Sequence, residues 1–290
     1  MSTGELHDTQ WDIVSSVGLT ALAVASGRAV ESGRADALIH DPWAARFVQR
    51  AKPTFPMPTS PRDPLATNPG WRYLSDLMGV RSRFFDDYLQ AATEAGIDQV
   101  VVLAAGLDTR AYRMSWPPSC RWFEIDQPKV LAFKDTVLTE QGATARCQRH
   151  AVAADLRDDW AATLRAAGFD PVRPTAWLAE GLLQYLPSAA EDELFHQVDQ
   201  LSSPGSRLAC THTDGPASFG WATSELGLNI AELVSGESRP PLNDRLRQHG
   251  WVLRASESVP QAGQRLGRHP TSPVPGSHLV PSMLSWASRD

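Results

Sequence analysis

The chain has 290 residues, with 27 basic and 33 acidic side chains and a formal net charge of −6. Binding of nucleic acid or of an anionic membrane surface requires clustered positive charge, so this balance argues against both kinds of partner. A chain of this length can bury a sizeable core, either in one large domain or in two.

The three cysteines, Cys120, Cys147 and Cys210, form no Cys-x-x-Cys pair, and their odd number precludes a complete disulfide framework. Buried thiols in a reducing cytosol are the simpler interpretation. No histidine or cysteine spacing matches a metal site, so we expect no bound metal. The apolar run 13–25 is short and interrupted by serines, which predicts an amphipathic helix rather than a signal peptide or a membrane span. We therefore expect a soluble, cytoplasmic protein.

Helical patterns dominate the first 95 residues. Residues 11–50 are predicted to be helical, with Asp41 as an N-cap before Pro42 at a first helical position. Residues 52–70 contain six prolines, which excludes regular structure because proline fixes φ and donates no backbone hydrogen bond. We interpret them as a surface linker rather than a mobile flap over a cleft. Helical periodicity returns over residues 71–95.

From residue 96 onward, short apolar runs alternate with helical segments. Such alternation predicts a parallel sheet with helices packed on both faces. The predicted strands are Val100–Ala104, Trp122–Ile125, His150–Ala153, Ala176–Ala179 and Arg207–Thr211. The clearest helix, Ser188–Leu201, begins with a Ser-x-x-Glu capping box formed by Ser188 and Glu191.

The last quarter of the chain has a different pattern. Residues 214–240 resemble an inserted helical segment, Leu242–His249 forms another predicted helix, and "WVLRAS" and "MLSWAS" are predicted strands. We expect a single domain with four parts: a helical lid and proline-rich loop (1–95), a cofactor-binding core (96–213), a substrate-cap insertion (214–240), and a C-terminal helix with strands (241–290).

The residues that follow the predicted strands carry the functional signal, because ligands of open parallel sheets bind at the carboxyl ends of the strands. The first strand is followed by Gly106, and the next three are followed by the carboxylates Asp126, Asp155 and Glu180. Gly106 and Asp126 are twenty residues apart. This is about the spacing between a cofactor-binding turn and an acidic residue that accepts hydrogen bonds from ribose hydroxyls.

The turn after the first strand, "AAGLDT", distinguishes two ligand classes. It has one glycine where a dinucleotide motif has three, and it places Asp108 where a phosphate would lie. A phosphate would therefore be repelled. S-adenosylmethionine carries ribose and adenine without phosphate, and its amino and sulfonium groups are cationic, so it suits a crevice rimmed with carboxylates.

Four motifs in this order and spacing, "VVLAAGLDTRAYR", "FEIDQPKVLAFK", "VAADLRDDW" and "WLAEGLLQYLP", resemble the S-adenosylmethionine-dependent methyltransferases of actinobacteria, which are in turn similar to leucine carboxyl methyltransferases. The upstream segments "HDPWAARFV" and "GVRSRFFDDYL" extend the resemblance to roughly residues 15–255. The resemblance implies a class I, Rossmann-like α/β fold with a seven-stranded, mostly parallel sheet whose last strand is antiparallel.

By this resemblance, Gly106 lies against S-adenosyl-L-methionine and Asp126 accepts its ribose hydroxyls. Asp155 would bind the adenine amino group beside the Leu156 backbone, and Glu180 would face the methionine end of the cofactor or the substrate. Arg81 resembles the arginine that pairs with the methionine carboxylate. Arg83 is a rival for that role, since the local register is ambiguous. Asp126 and Asp155 could instead be helix N-caps.

Several other residues have both a functional and a structural interpretation. His212 and Asp214 follow the fifth strand, where a general base could act, yet a hydrogen-bonded structural histidine is the favoured interpretation. Trp221 could line a substrate pocket. Arg110 and Arg113 follow the glycine turn and are interpreted as partners of surface carboxylates.

The reaction implied is transfer of the sulfonium methyl group to an oxygen, leaving S-adenosyl-L-homocysteine as product. A carboxylate acceptor needs no general base, whereas a hydroxyl acceptor would need one, with His212 as the first candidate. A small molecule is the favoured acceptor over a protein C-terminus. Two alternatives remain at this point: a nicotinamide-dependent oxidoreductase, suggested by the Gly106–Asp126 spacing, and a non-catalytic relative. The sequence gives no oligomeric state.

Overall fold

The computed structural model describes residues 16–213, 220–227, 229–230, 232–274 and 280–290. Within them lies one seven-stranded sheet with the strand order β3-β2-β1-β4-β5-β7-β6. Its strands are β1 (Gln99–Leu103), β2 (Arg121–Asp126), β3 (Gln148–Ala153), β4 (Thr175–Ala179), β5 (Arg207–His212), β6 (Trp251–Ser258) and β7 (Met283–Arg289). The first five are parallel to one another, and β7 pairs antiparallel with both β5 and β6. The predicted seven-stranded sheet with an antiparallel last strand is confirmed.

Ten α-helices surround the sheet in the described part of the chain. They are α1 (Ser16–Ser32), α2 (Ala44–Ala51), α3 (Pro69–Glu94), α4 (Arg110–Arg113), α5 (Pro128–Glu140), α6 (Trp160–Ala166), α7 (Ser188–Gln200), α8 (Gly220–Leu226), α9 (Leu242–Gln248) and α10 (Val259–Arg265). Short 3-10 turns occur at Pro64–Thr67 and Leu183–Tyr185. Over the described residues, every helix is too short or too polar to cross a bilayer.

The core has two layers because successive side chains of a strand point to opposite faces. On β1, Val100 and Val102 join the layer that contains the α3 side chains. Val101 and Leu103 join the opposite layer, which contains the side chains of α6 and α7. All five residues of β1 are buried. This explains why its sequence is a continuous apolar run rather than an alternating one.

The helical prediction for residues 11–50 is wrong in two respects. Residues 33–43 separate α1 from α2, and α2 begins at Ala44 with Trp43 as its N-cap rather than Asp41. Asp41 still stabilises the start of this helix, because its Oδ1 accepts hydrogen bonds from the backbone N–H groups of Trp43 and Ala44, each at 3.1 Å. Residues 11–15 lie outside the described residues.

The proline-rich segment contacts α1. Met57 is buried, and Ser26 Oγ donates a hydrogen bond to the backbone oxygen of Pro58 at 2.5 Å. The segment is largely irregular, as predicted, but it contains the 3-10 turn and ends at Asn68. The Asn68 side chain caps α3, with Pro69 in the first turn.

The predicted capping box at the start of α7 is absent. Pro187 is the N-cap and makes no side-chain cap. Glu191 is instead 1% exposed and forms ion pairs with Arg239 and Arg245. The Ser188 N–H donates to Glu237 Oε2 at 2.6 Å. Two arginines compensate the charge of the buried Glu191 better than a capping-box hydrogen bond would. Tertiary contacts therefore override the Ser-x-x-Glu pattern.

A buried ion pair links α5 to β2, next to the edge strand of the sheet. Lys134 Nζ lies 2.7 Å from Glu124 Oε2, and both side chains are 0% exposed. Glu124 also accepts from Arg149 Nε at 2.8 Å. Removal of one partner from such a pair leaves an uncompensated buried charge.

We therefore expect Lys134→Met to lower the free energy of unfolding by about 3 kcal/mol, because Arg149 compensates only part of the buried negative charge left on Glu124. The matched control is Arg50→Met, which removes an exposed pair with Glu140 and should cost less than about 1 kcal/mol. Urea denaturation followed by circular dichroism measures both. Equal losses of unfolding free energy in the two variants would show that the buried Lys134–Glu124 pair contributes no more to stability than the exposed pair does.

Candidate functional site

A cavity of about 400 Å³ opens at the carboxyl ends of β1 to β4. It lies where the strand order reverses between β1 and β4, the usual ligand position in an open α/β sheet. Its wall contains all six residues predicted to bind the cofactor, namely Arg81, Gly106, Asp126, Asp155, Leu156 and Glu180. Residues from four strand ends and from α3 therefore meet in one place.

The turn after β1 exposes its backbone to this cavity. Ala104 and Gly106 both have left-handed backbone conformations, with φ of 49° and 50°. A Cβ atom built on Gly106 would have a single neighbour within 4 Å, the Ala104 carbonyl oxygen at 3.9 Å. Glycine is needed here for its φ angle, and the space that a side chain would take is left to a ligand.

Asp126 fixes this turn and faces the cavity. Its Oδ2 accepts from the Gly106 N–H at 2.6 Å, and its Oδ1 accepts from the Gln127 N–H at 2.7 Å. Burial raises the pKa of Asp126, although these two backbone hydrogen bonds act in the opposite direction. Each carboxylate oxygen retains a further lone pair with which it can accept a hydrogen bond from a bound molecule.

Asp155 lies beside Asp126 and is linked to it through Gln127. The Gln127 Nε2 donates to Asp155 Oδ2 at 2.6 Å. The hydrogen bond from Arg157 holds the pKa of Asp155 at about 2. The Arg157 side chain is 69% exposed and lies at the outer end of the cavity wall. Asp155 therefore stays ionised throughout the physiological range, and Leu156 next to it supplies an apolar wall.

Glu180 lies at the other end of the cavity between two arginines. Arg81 Nε is 2.7 Å from Glu180 Oε1, and Arg110 Nη1 is 2.8 Å from Glu180 Oε2. Burial alone would raise the pKa of Glu180, but Arg110 and Arg81 outweigh it, and the pKa lies below its ordinary value. The neighbouring Gly181 has a φ of 68°.

Arg110 holds the carboxylates at the Glu180 end of the site together, and sequence reasoning missed it. It was interpreted as a surface residue, yet it is 3% exposed. It pairs with Asp108 and with Asp86 on α3 in addition to Glu180. We call these residues, with Arg81 and Arg113, the arginine–carboxylate cluster. A signal was available in the sequence, since "RFFDDYL" places Asp86 on the apolar face of a helix, where it requires a cationic partner.

Arg113 also differs from its predicted surroundings, and Asp108 lies where predicted but with its charge paired. Arg113 is bonded to both carboxylate oxygens of Asp86 at 2.7 Å, with a side chain only 6% exposed. Asp108 lines the cavity, as its position in the turn predicted. Burial opposes its ionisation, but Arg110 and Lys134 hold the pKa of Asp108 at about 2. The charge of Asp108 is therefore compensated within the arginine–carboxylate cluster and is not available at the cavity wall.

The structure distinguishes Arg81 from Arg83, the alternative candidate for the same role. Arg83 is 45% exposed and pairs with Asp87 one turn further along α3 at 2.8 Å. It is not part of the described cavity wall, whereas Arg81 is. Of the two arginines, Arg81 alone is positioned to contact a ligand in this cavity.

His212 and Trp221 are not part of the described cavity wall. His212 is 4% exposed in β5, with Nε2 2.9 Å from the Ser285 hydroxyl of β7, as the structural interpretation predicted. Trp221 is buried, and its ring stacks edge-on against Tyr73 at 4.9 Å between centroids. Asp214 lies outside the described residues. Among the residues described, no group of three or more histidine, cysteine or acidic side chains could hold a metal ion.

The remaining walls of the cavity come from elements outside the strand ends. The first half of α1 contributes Thr20, Ala21 and Val24, and Arg28 follows one turn later. The segment after β4 contributes Leu182, Gln184, Tyr185 and Leu186, and Leu233 closes the cavity from the segment between α8 and α9. The predicted lid and cap regions therefore supply cavity residues from both sides.

Comparison with known proteins identifies the family. The sequence pattern of the leucine carboxyl methyltransferases matches residues 21–199. A protein of Saccharopolyspora erythraea, named an S-adenosyl-L-methionine-dependent methyltransferase, is 51% identical over 248 residues, covering 83% of this chain and 85% of the relative. A protein of Rhodococcus jostii with the same name is 50% identical over 263 residues, covering 86% and 87%.

A solved structure agrees with the fold. The crystal structure of a DUF574 family protein from Streptomyces avermitilis has a TM-score of 0.54, covers 92% of this chain and 97% of its own, and is 17% identical. The relatives support neither the nicotinamide-dependent oxidoreductase nor the non-catalytic protein considered from the sequence. The chain belongs to the leucine carboxyl methyltransferase family and is an S-adenosyl-L-methionine-dependent methyltransferase.

Proposed function

We propose that this enzyme methylates a carboxylate oxygen of a small molecule and releases a methyl ester. The observation that carries the proposal is the state of the acidic groups at the Glu180 end of the cavity. Glu180 and Asp108 are both bonded to arginines, which keep their pKa values low. Neither can take a proton from a neutral hydroxyl, so the acceptor must arrive as an anion.

The described residues of the cavity fit the cofactor. The open side of Gly106 gives room for a ligand against the backbone. Asp126 would accept two ribose hydroxyls, and Asp155 would accept the adenine amino group beside Leu156. The Arg81–Glu180 pair would match the carboxylate and ammonium of the methionine end. When bound, S-adenosyl-L-methionine supplies a methyl group already activated by the positive charge on sulfur.

Apart from Asp126 and Asp155, which are assigned to the cofactor, the other side chains of the described wall also supply no general base. The wall contains no histidine, cysteine or lysine among the residues described. Burial raises the pKa of Tyr185, so its hydroxyl keeps its proton at neutral pH. The chain's own contribution is therefore to orient the acceptor, exclude water with apolar side chains, and keep the surrounding charges fixed, which is catalysis by proximity and orientation.

The acceptor class is tested by an assay of product formation. Purified enzyme with S-adenosyl-L-methionine is offered sets of small carboxylic acids, peptides with a free C-terminus, phenols and alcohols, and released S-adenosyl-L-homocysteine is measured. We expect turnover with acids and a product that alkali hydrolyses, as methyl esters are. Turnover confined to phenols or alcohols contradicts the proposal, and turnover confined to peptides would replace the small molecule with a protein C-terminus.

Asp126→Asn should weaken cofactor binding by about 100-fold, because two hydrogen bonds to a charged acceptor, each worth about 1.5–3 kcal/mol, are replaced by weaker ones. Calorimetric titration with S-adenosyl-L-homocysteine measures the change in Kd. The control is Asp87→Asn, an exposed carboxylate on α3 outside the cavity, which should bind like the parent. A folded Asp126→Asn protein with unchanged affinity would show that the ribose role is misassigned.

Cofactor affinity should also depend on pH through Asp126. Burial raises its pKa above the ordinary 3.8, whereas Asp155 remains ionised to about pH 2. As pH falls, Asp126 gains a proton first, loses acceptor capacity, and the Kd rises. Titrations between about pH 4 and pH 8 measure this. The Asp126→Asn variant should lose most of the acid-side change. An equal change in parent and variant would assign it to another group.

A further inference from the structure

Asp126 and Asp155 follow neighbouring strands of the sheet, yet their carboxylates differ in how many hydrogen bonds they already accept. Asp126 accepts one backbone N–H on each oxygen, from Gly106 at 2.6 Å and from Gln127 at 2.7 Å. An ionised carboxylate has about four acceptor positions. Asp126 therefore keeps about two of them for the hydroxyl groups of a ribose, and none of its present partners has to move.

The acceptor positions of Asp155 are all filled. Its Oδ1 accepts from the backbone N–H and from the side-chain Nε of Arg157, both at 2.9 Å. Its Oδ2 accepts from Arg157 Nη2 at 2.5 Å and from Gln127 Nε2 at 2.6 Å. These donors fill the roughly four positions that a carboxylate offers. The amino group of an adenine can therefore bind to Asp155 only when one of these donors leaves.

Among these donors, the Arg157 guanidinium leaves with the smallest loss of free energy. Its side chain is 69% exposed, so water can replace Asp155 as its partner, and exposed ion pairs contribute little to stability. The exposed Asp158 also attracts this guanidinium. The backbone N–H of Arg157 is held by a turn, in which the Asp158 N–H donates to the Asp155 carbonyl oxygen at 3.0 Å. Gln127 is partly buried, and its backbone N–H holds Asp126.

The chemistry at position 6 of the purine decides whether this exchange can occur. Asp155, Arg157 and Gln127 all line the cavity, so a base that reaches the carboxylate also meets the guanidinium. The exocyclic amino group of adenine is a donor and can take the place of Arg157 on Asp155. A keto oxygen at the same position is an acceptor. The carboxylate would repel it, whereas the guanidinium could donate to it and remain where it is.

We propose that Arg157 is a displaceable partner of Asp155, whose guanidinium competes with the amino group of adenine for this carboxylate and thereby sets the affinity for the cofactor. This inference rests on the proposed function, in which Asp155 binds adenine. The side-chain hydrogen bonds of Arg157 to Asp155 are exchanged for one from the amino group, and no covalent bond changes. Because S-adenosyl-L-homocysteine carries the same adenine, the competition also opposes retention of the product after methyl transfer.

The test uses S-adenosyl-L-homocysteine, which has no net charge at neutral pH, so the loss of a cation does not by itself alter its attraction to the cavity. In calorimetric titrations, Arg157→Met should lower the Kd about fivefold, because an exposed ion pair no longer has to be broken. S-inosyl-L-homocysteine, with a keto oxygen in place of the amino group, should gain no affinity. The control is Arg83→Met, which removes another exposed arginine–aspartate pair outside the described cavity wall and should change neither Kd.

A second variant tests the contact through which Arg157 acts. Asp155→Ala should weaken binding of S-adenosyl-L-homocysteine about tenfold, because the amino group loses a charged acceptor. Addition of Arg157→Met to Asp155→Ala should then leave the Kd unchanged, since the two substitutions act on one contact. A gain in affinity that persists in the double variant would show that Arg157 acts on the cofactor by another route, and this would overturn the inference.

Two further results overturn the inference. A higher or unchanged Kd for S-adenosyl-L-homocysteine in Arg157→Met shows that the guanidinium does not compete with adenine, and an equal gain for the inosyl compound shows that the amino group is not involved. The adenine role of Asp155 fails separately, when Asp155→Ala binds S-adenosyl-L-homocysteine like the parent. Arg157→Met replaces an exposed side chain, so the comparison of the two nucleosides decides the matter even if Asp155→Ala fails to fold.

Discussion

The pairing of Arg110 with three buried carboxylates is the constraint on which the site depends. Asp86 lies on α3, Asp108 in the turn after β1, and Glu180 after β4, so one guanidinium joins three separate elements. A carboxylate buried without a partner would shift its pKa and take up a proton. With the arginines present, the pKa values of Asp108 and Glu180 stay low, so these two carboxylates are too weakly basic to take a proton from a neutral hydroxyl. The same contacts therefore define both the shape of the cavity and the limits of its chemistry.

The strand order explains why these elements meet. The parallel strands β1 and β4 are neighbours, yet their connections leave on opposite sides of the sheet, and this produces the crevice. Gly106 and Asp126 lie on one side of it and Glu180 on the other. The carboxylate of Asp126 also accepts the N–H of Gly106, so the residue proposed to bind ribose holds the cofactor turn as well. A ligand would therefore bind to a surface whose residues are already ordered in its absence.

Much of this was accessible from the sequence. The predicted strands agree with β1 to β5 within two residues at each end, because continuous apolar runs and turn residues are local signals. The general rule for parallel sheets correctly predicted that the residues after those strands line one cavity. Arg110 and the partners of Glu191 could not be predicted in this way. Both depend on ion pairs between segments that are distant in the chain. The position of Asp86 on the apolar face of α3 indicates that it needs a cationic partner but not which residue supplies it.

The position of β7 has a consequence for synthesis of the protein. This strand comes last in the chain order of the seven, yet it lies inside the sheet between β5 and β6. Until residues 283–289 leave the ribosome, β6 has no neighbour on which to form its ladder and β5 keeps an unpaired edge. The nascent chain therefore carries an exposed β5 edge once residue 212 has been made, and an unpaired β6 once residue 258 has been made, until β7 follows. A chaperone that covers such edges would act on β5 and β6. A chain whose synthesis stops before β7 would be prone to form strand pairs with other protein molecules.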